Sequence, residues 1–212
     1  MITDRLGDRG QAFPIYIVVV AGLLFAALAF FVVGMAGATR SNAQGAADAA
    51  ALAAAREARD QVFVGIDLLS LDPADWEKVV NGDLLKGEGA CRKAIDFAAL
   101  NDATAECEPA IPEFTVAVTT KGTVGNSVIP GSGDMQAKAT AKARIEPRCS
   151  LRSAPTPAPT PTPAPTPSPS PSSPGEGSVS FVCSGKALTV DLAKPGPLSQ
   201  LARALFSVRL VD

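Results

Sequence analysis

The chain has 212 residues, sets 19 Lys and Arg against 21 Asp and Glu for a net charge of −2, and contains no histidine. Without histidine there is no Ser-His-Asp triad, no Cys-His pair and no imidazole metal site, and without a cluster of Lys and Arg the near-neutral balance argues against a nucleic-acid surface. Aromatic residues make up only 5%, too few for the stacking platforms that bind sugars or single-stranded nucleic acid.

Residues 1–12 begin MITDRLGDRG, where Asp4 and Asp8 balance Arg5 and Arg9. They read as a short cytoplasmic tail. From residue 11 to residue 39 no residue is charged. As a helix, residues 14–38 would be about 37 Å long, enough to cross a hydrocarbon layer of roughly 30 Å with tilt. Residues 13–39 are therefore expected to form a single transmembrane span. Pro14 falls in its first turn, where the missing N–H costs no hydrogen bond. Phe13 and Tyr16 suit the near interface, and Arg40 marks the far exit. A cleaved secretory signal competes, since Arg5 and Arg9 give a basic start and Ala36-Gly37-Ala38 has the small-x-small form, but the apolar run 15–33 is longer than the usual signal core. Arginines flank the span on both sides, at Arg5 and Arg9 and again at Arg40, Arg56 and Arg59, so charge leaves the orientation undecided. The cysteines favour a cytoplasmic N-terminus and an extracytoplasmic remainder. Cys91, Cys107, Cys149 and Cys183 all follow the span, and two disulfides belong in an oxidising compartment.

Roughly 170 residues follow, about 20 of them proline-rich, which leaves one small domain with room for one modest core. Residues 41–66, SNAQGAADAAALAAAREARDQVFVGI, have the alanine density that favours helix at no side-chain entropy cost. One long helix is expected to run from lipid into this domain. Leu52, Ala55, Val62, Phe63 and Ile66 fall on neighbouring rows and predict one narrow buried stripe, with Asp48, Glu57 and Asp60 toward water. Residues 67–90 mix apolar pairs with turns at Asp72-Pro73, Asn81-Gly82 and 87–89, with one or two helical turns over 75–80. In CRKAIDFAALNDATAEC, residues 91–107, Ile95, Ala98 and Ala99 predict a short amphipathic helix ending near Asn101, then a loop.

The period then changes to two. Phe114, Val116 and Val118 alternate over 113–120, and over 134–147 Met135, Ala137, Ala139, Ala141, Ala143 and Ile145 alternate with Gln136, Lys138, Thr140, Lys142 and Arg144. Both patterns predict half-buried antiparallel strands, joined by an irregular loop. Residues 154–174, APTPAPTPTPAPTPSPSPSSP, cannot pack as helix or central strand and read as a disordered, extended insert. Thr and Ser beside proline also fit an O-glycosylated stalk. Strands at 179–183 and 187–192, a helix over 198–206 with Leu198, Leu201, Ala202 and Leu205 on one face, and a last strand to 211 complete the chain. The whole reads as α+β: a long transmembrane and amphipathic helix, then an antiparallel sheet domain that the insert divides into 40–153 and 175–212.

No motif carries chemistry. There is no GxxxxGK[ST] phosphate loop, and Gly131-Ser132-Gly133 leads into a strand as a turn. The acidic group Asp67, Asp72, Asp75 and Glu77 misses the calcium-loop spacing and reads as a solvated loop. Catalytic, cofactor-binding and metal residues are therefore not expected. Four cysteines without a CxxC pair allow three disulfide connectivities, of which Cys91 with Cys107 and Cys149 with Cys183 is favoured on proximity alone. Gly22/Ala26 and Gly34/Ala38 have the small-xxx-small spacing that lets helices approach closely in lipid, and are candidate helix-packing residues.

RGQA at 9–12 and RSNAQGAADAAALAAAREA at 40–58 resemble the TadE/TadG-like proteins of the Tad (Flp) pilus assembly system. Arg40, Gln44 and residues 46–55 stand where that family has R…Q.AADAAALAAA after a single membrane helix. The likeness is carried by the first 60 residues. It implies a minor-pilin-like or assembly component of a bacterial surface appendage, non-enzymatic, with a pilin-like exported domain. Its partners would be the lipid bilayer and other Tad/Flp assembly proteins, with no nucleic acid and no small-molecule substrate. Prepilins usually carry Glu five residues into the mature chain after a Gly cleavage site. Counted from Gly10 that position is Ile15, so an unprocessed anchor, as in the TadG branch, is expected. Two other readings remain: a surface adhesion or ligand-binding module that projects the Pro-Thr tract, and a secreted protein released after Ala38.

Overall fold

The structure, a computed structural model, describes residues 12–123, 134–152 and 178–212. The N-terminal tail, the turn at Gly131-Ser132-Gly133 and the insert 154–174 lie outside the described residues. Helix α1, Ala12–Asp60, is unbroken over 49 residues, about 73 Å at 1.5 Å per residue. Residues 13–19 and most of those up to 42 are exposed, whereas from Ala43 onward the same helix enters a core. That second half does not bury a narrow stripe. Ala43, Ala46, Ala47, Ala50, Ala51, Ala53, Ala54, Ala55 and Ala58 are all buried, because α1 is packed by the helix Ala90–Leu100 and by the strands Glu113–Thr123, Gln136–Pro147 and Phe206–Val211. Only a methyl group fits where several elements crowd one helix. The helix stops at Asp60, short of Ile66, and Val62 and Phe63 are buried in the turn beyond it.

Helix α2, Pro73–Asn81, is longer than the turn or two expected. Asp72 caps it by accepting from the Asp75 N–H at 2.8 Å, and Gly82, at φ 86°, ends it in a left-handed conformation that favours glycine. Helix α3, Ala90–Leu100, buries Ala90, Ala94 and Ala98. Ala98 lies on the expected face, but Ile95 and Ala99 are exposed. The face is set by the partner: against the alanines of α1, small residues give the closest approach, and Ile95 is left outside.

Strands β1 (Ala103–Ala110), β2 (Glu113–Thr123), β3 (Gln136–Pro147) and β7 (Phe206–Val211) form an antiparallel sheet in the order β1-β2-β3-β7. β1 stands where a loop was expected. Phe114 faces Ala143, Val116 faces Ala141 and Val118 faces Ala139, so large side chains of β2 sit opposite small ones of β3 and their common face packs on α1. The register slips between Thr119 and Thr123. There Thr120 fills the ladder, its Oγ1 donating to the Gly122 carbonyl at 2.8 Å and accepting from the Ala137 N–H at 3.0 Å. Met135, expected on the inner face, precedes β3 and is exposed.

A second sheet, β4 (Cys149–Leu151), β5 (Ser178–Cys183) and β6 (Lys186–Asp191), lies beside the first, and α4 (Leu198–Leu205) leads directly into β7. Phe181 of β5 meets Trp76 of α2 edge-on at 5.6 Å, and Trp76 meets Phe63 at 6.3 Å. This aromatic group closes the end of the head remote from the apolar helix.

Candidate assembly surface

Among the described residues one helix is long and apolar enough to cross a membrane, and its apolar stretch is entirely outside the core. Phe13, Phe25, Phe30 and Val33 are each more than 70% exposed, an exposure tolerable only where something other than water covers them. The hydroxyl of Thr39 donates to the Met35 carbonyl at 3.0 Å. A polar group at the edge of the apolar segment is thus satisfied within its own helix, as a lipid surrounding requires.

Gly22, Ala26, Gly34 and Ala38 are all exposed on this segment. A side chain built on Gly22 or Gly34 would meet nothing within 4 Å, so nothing in this chain requires glycine there. The two pairs do not share one face. Twelve residues separate them, and at 3.6 residues per turn this rotates the second pair by about 120° from the first. They make two small-residue patches on different sides of the rod.

The head that follows is tied internally. Cys91–Cys107 joins α3 to β1, and Cys149–Cys183 joins β4 to β5 at facing positions of the ladder. Ion pairs add cross-links between elements: Arg203 of α4 reaches Asp60 at the end of α1 at 2.8 Å, Arg209 of β7 reaches Glu146 of β3 at 2.6 Å, and Arg144 of β3 pairs with Glu113 of β2. Burial pushes the Asp60 carboxyl up, but hydrogen bonds from Arg203 and Arg59 outweigh it and hold the group below its ordinary value. Arg209 likewise holds Glu146 below the usual carboxylate range.

The structure disperses the acidic group. Asp67 caps a short 3-10 turn by accepting from the Leu69 N–H at 3.0 Å, Asp72 caps α2, and Asp75 pairs with Lys78 at 2.9 Å. Among the described residues no three His, Cys, Asp or Glu side chains come together as metal ligands do. A cleft of about 350 Å³ lies where α1 enters the head, lined by Gln44 and Asp48 of α1, residues 140–142 of β3 and residues 210–212 at the chain end. Periodicity gave no sign of it, because its walls come from three segments distant in sequence.

Residues 10–57 match the sequence model of the family described as Flp pilus-assembly TadE/G-like. The matched segment covers the apolar half of α1 and nearly all of its buried half, so the rod and its entry into the head are what this chain shares with that family. No curated protein and no solved structure matches.

Proposed function

We propose, from the premise that residues 10–57 make this a TadE/TadG-like chain, that it is a membrane-anchored, minor-pilin-like component of the Tad/Flp pilus assembly or secretion machinery, acting by assembly and not by catalysis. The observation that carries this reading is the continuity of α1, a single helix whose first half presents only apolar surface and whose second half is the centre of a folded head. A rod of this kind holds its head at a fixed distance and angle from the bilayer. The paired cysteines support a cytoplasmic N-terminus with the head outside, since both bridges lie beyond the apolar segment and persist in oxidising compartments.

In this reading the bilayer surrounds residues 13–39, and the patches at Gly22/Ala26 and Gly34/Ala38 admit helices of other Tad components, since helix association in lipid depends on close packing. A cysteine introduced at Ala26 or at exposed Gly45 tests it. In cells that express the whole system, each probe should crosslink to a Tad component, and the Ala26 adduct should fall when Gly22→Leu fills the neighbouring patch. Recovery of uncrosslinked chain alone from both positions would count against the assembly role.

A further inference from the structure

The two ends of the head are fixed by the direction of α1, which enters near Ala43 and stops at Asp60. Arg203 beside Asp60 places α4 at the far end, and the cleft shared by Gln44, Asp48 and Asp212 places the end of β7 at the anchor end. Because β7, β3 and β2 pair antiparallel in turn, β3 begins and β2 finishes at the anchor end as well. Helix α3 runs the same way. Gly89, at its start, lies 3.5 Å from the Gln61 amide as measured from the position a Cβ would take, so α3 descends along α1 to finish at Leu100. The Asp102 carbonyl then accepts from the Lys121 N–H at 2.7 Å, Ala103 faces Thr120, and Thr120 binds Ala137. The turn after α3, the end of β2 and the start of β3 thus form one row across the anchor end.

Two large apolar side chains stand exposed on that row, Leu100 at 78% and Met135 at 59%, and Lys121 and Lys138, on the strand ends of the same row, are exposed as well. Gln44 lies only about 6 Å along the helix from Arg40. From the cleft, β3 extends back toward the anchor by about 3.3 Å per residue, some 16 Å from Ala141 to Gln136. That distance reaches the level where α1 leaves the hydrocarbon, since the headgroup layer is about 5–8 Å deep on each face. We infer that the anchor end of the head is a second membrane contact, in which Leu100 and Met135 enter the headgroup–acyl boundary of the bilayer while Lys121 and Lys138 keep their ammonium groups among the headgroups. The inference rests on the anchor reading above. The occupant is lipid because the row lies at the end of the head from which the anchor emerges, and the unbroken helix leaves no linker on which the head could swing away. Arg40, Lys121 and Lys138 are nearly balanced by Asp102 and Asp134 on the same end, so the contact does not need anionic lipid.

The test uses nitroxide labels on single cysteines introduced into the full chain in phosphatidylcholine vesicles, at Leu100, Met135, Leu24 in the anchor, and exposed Val64 near the far end of α1. Labels at 100 and 135 should collide with a water-soluble nickel chelate several-fold less than the label at 64, collide more with oxygen, and respond in the same way when phosphatidylglycerol is added. In a chain labelled at Lys138, L100D with M135D should raise chelate access. Labels at 100 and 135 as open to the chelate as the label at 64, with Leu24 still lipid-buried, would overturn the inference and leave the anchor standing. Shielding from both probes would overturn it in favour of a protein contact. Chelate access at Leu24 would overturn the anchor reading itself, and this contact with it.

Discussion

Alanine does in this head what larger aliphatics do in most cores. At Ala54, fully buried on α1, a methyl group lets neighbouring elements approach from more than one side, and added volume has no direction in which to go. Ala54→Leu should therefore destabilise the head by about 1–3 kcal/mol, read as a lower urea midpoint for the full chain in detergent. The same change at exposed Ala26 should leave that midpoint where it is. Asp60 makes a second prediction through its ion pairs. Its pKa is lowered in the folded chain, so the folded state binds fewer protons there than the unfolded state. The stability this adds is complete above the unfolded value of about 4 and is lost as pH falls through the folded one. Arg203→Ala should lower the urea midpoint at neutral pH, and the gap from the parent chain should close below about pH 4. A gap of equal size at low pH would mean that Arg203 acts through packing.

Among the elements, the bridges define what can be removed. Cys91–Cys107 closes a separation of 16 residues, and replacing both cysteines by alanine should cost about 3 kcal/mol. Cys149 and Cys183 face each other in the β4–β5 ladder, so the strands on either side of residues 154–174 are tied to each other without them. Deleting them should shift Tm by less than about 4 °C, the scale of a 1 kcal/mol change in loop entropy; loss of cooperative melting would show that the tract packs on the head. Which elements were legible follows the same logic. The alternation over β2 and β3 and the apolar face of α4 are visible in sequence because each element buries one face against whatever lies opposite. β1 was not legible, because Glu106, Glu108 and Pro109 are poor strand residues that an edge tolerates, and among the described residues β1 pairs only with β2. The buried face of α3 depends on an alanine-lined partner that periodicity cannot see. The candidate site divides in the same way. The apolar rod and its small residues can be read directly, but the row of Leu100 and Met135 needs the topology that brings three chain segments to one end.

For the molecule as a whole, α1 divides into an exposed apolar stretch and a buried helix, and the border between them lies between Thr39 and Ala43. Among the described residues, every buried alanine of α1 lies at or beyond Ala43, and those before it bury nothing in the head. A chain beginning at Arg40 therefore keeps the whole core and should fold in water without detergent, with both disulfides formed and a single cooperative transition. One beginning at Leu52 loses Ala43, Ala46, Ala47, Ala50 and Ala51, on which α3 and the sheet rest. It should show no cooperative melting, because an unfilled groove along the sheet cannot close without moving the strands. The full chain should stay with vesicles through alkaline carbonate and leave them only in detergent. Release by carbonate would remove the bilayer from this description. Failure of the Arg40 chain to fold would mean that the head takes its stability from the lipid side of the border, so the division of α1 into an anchor and a core helix would have to be abandoned.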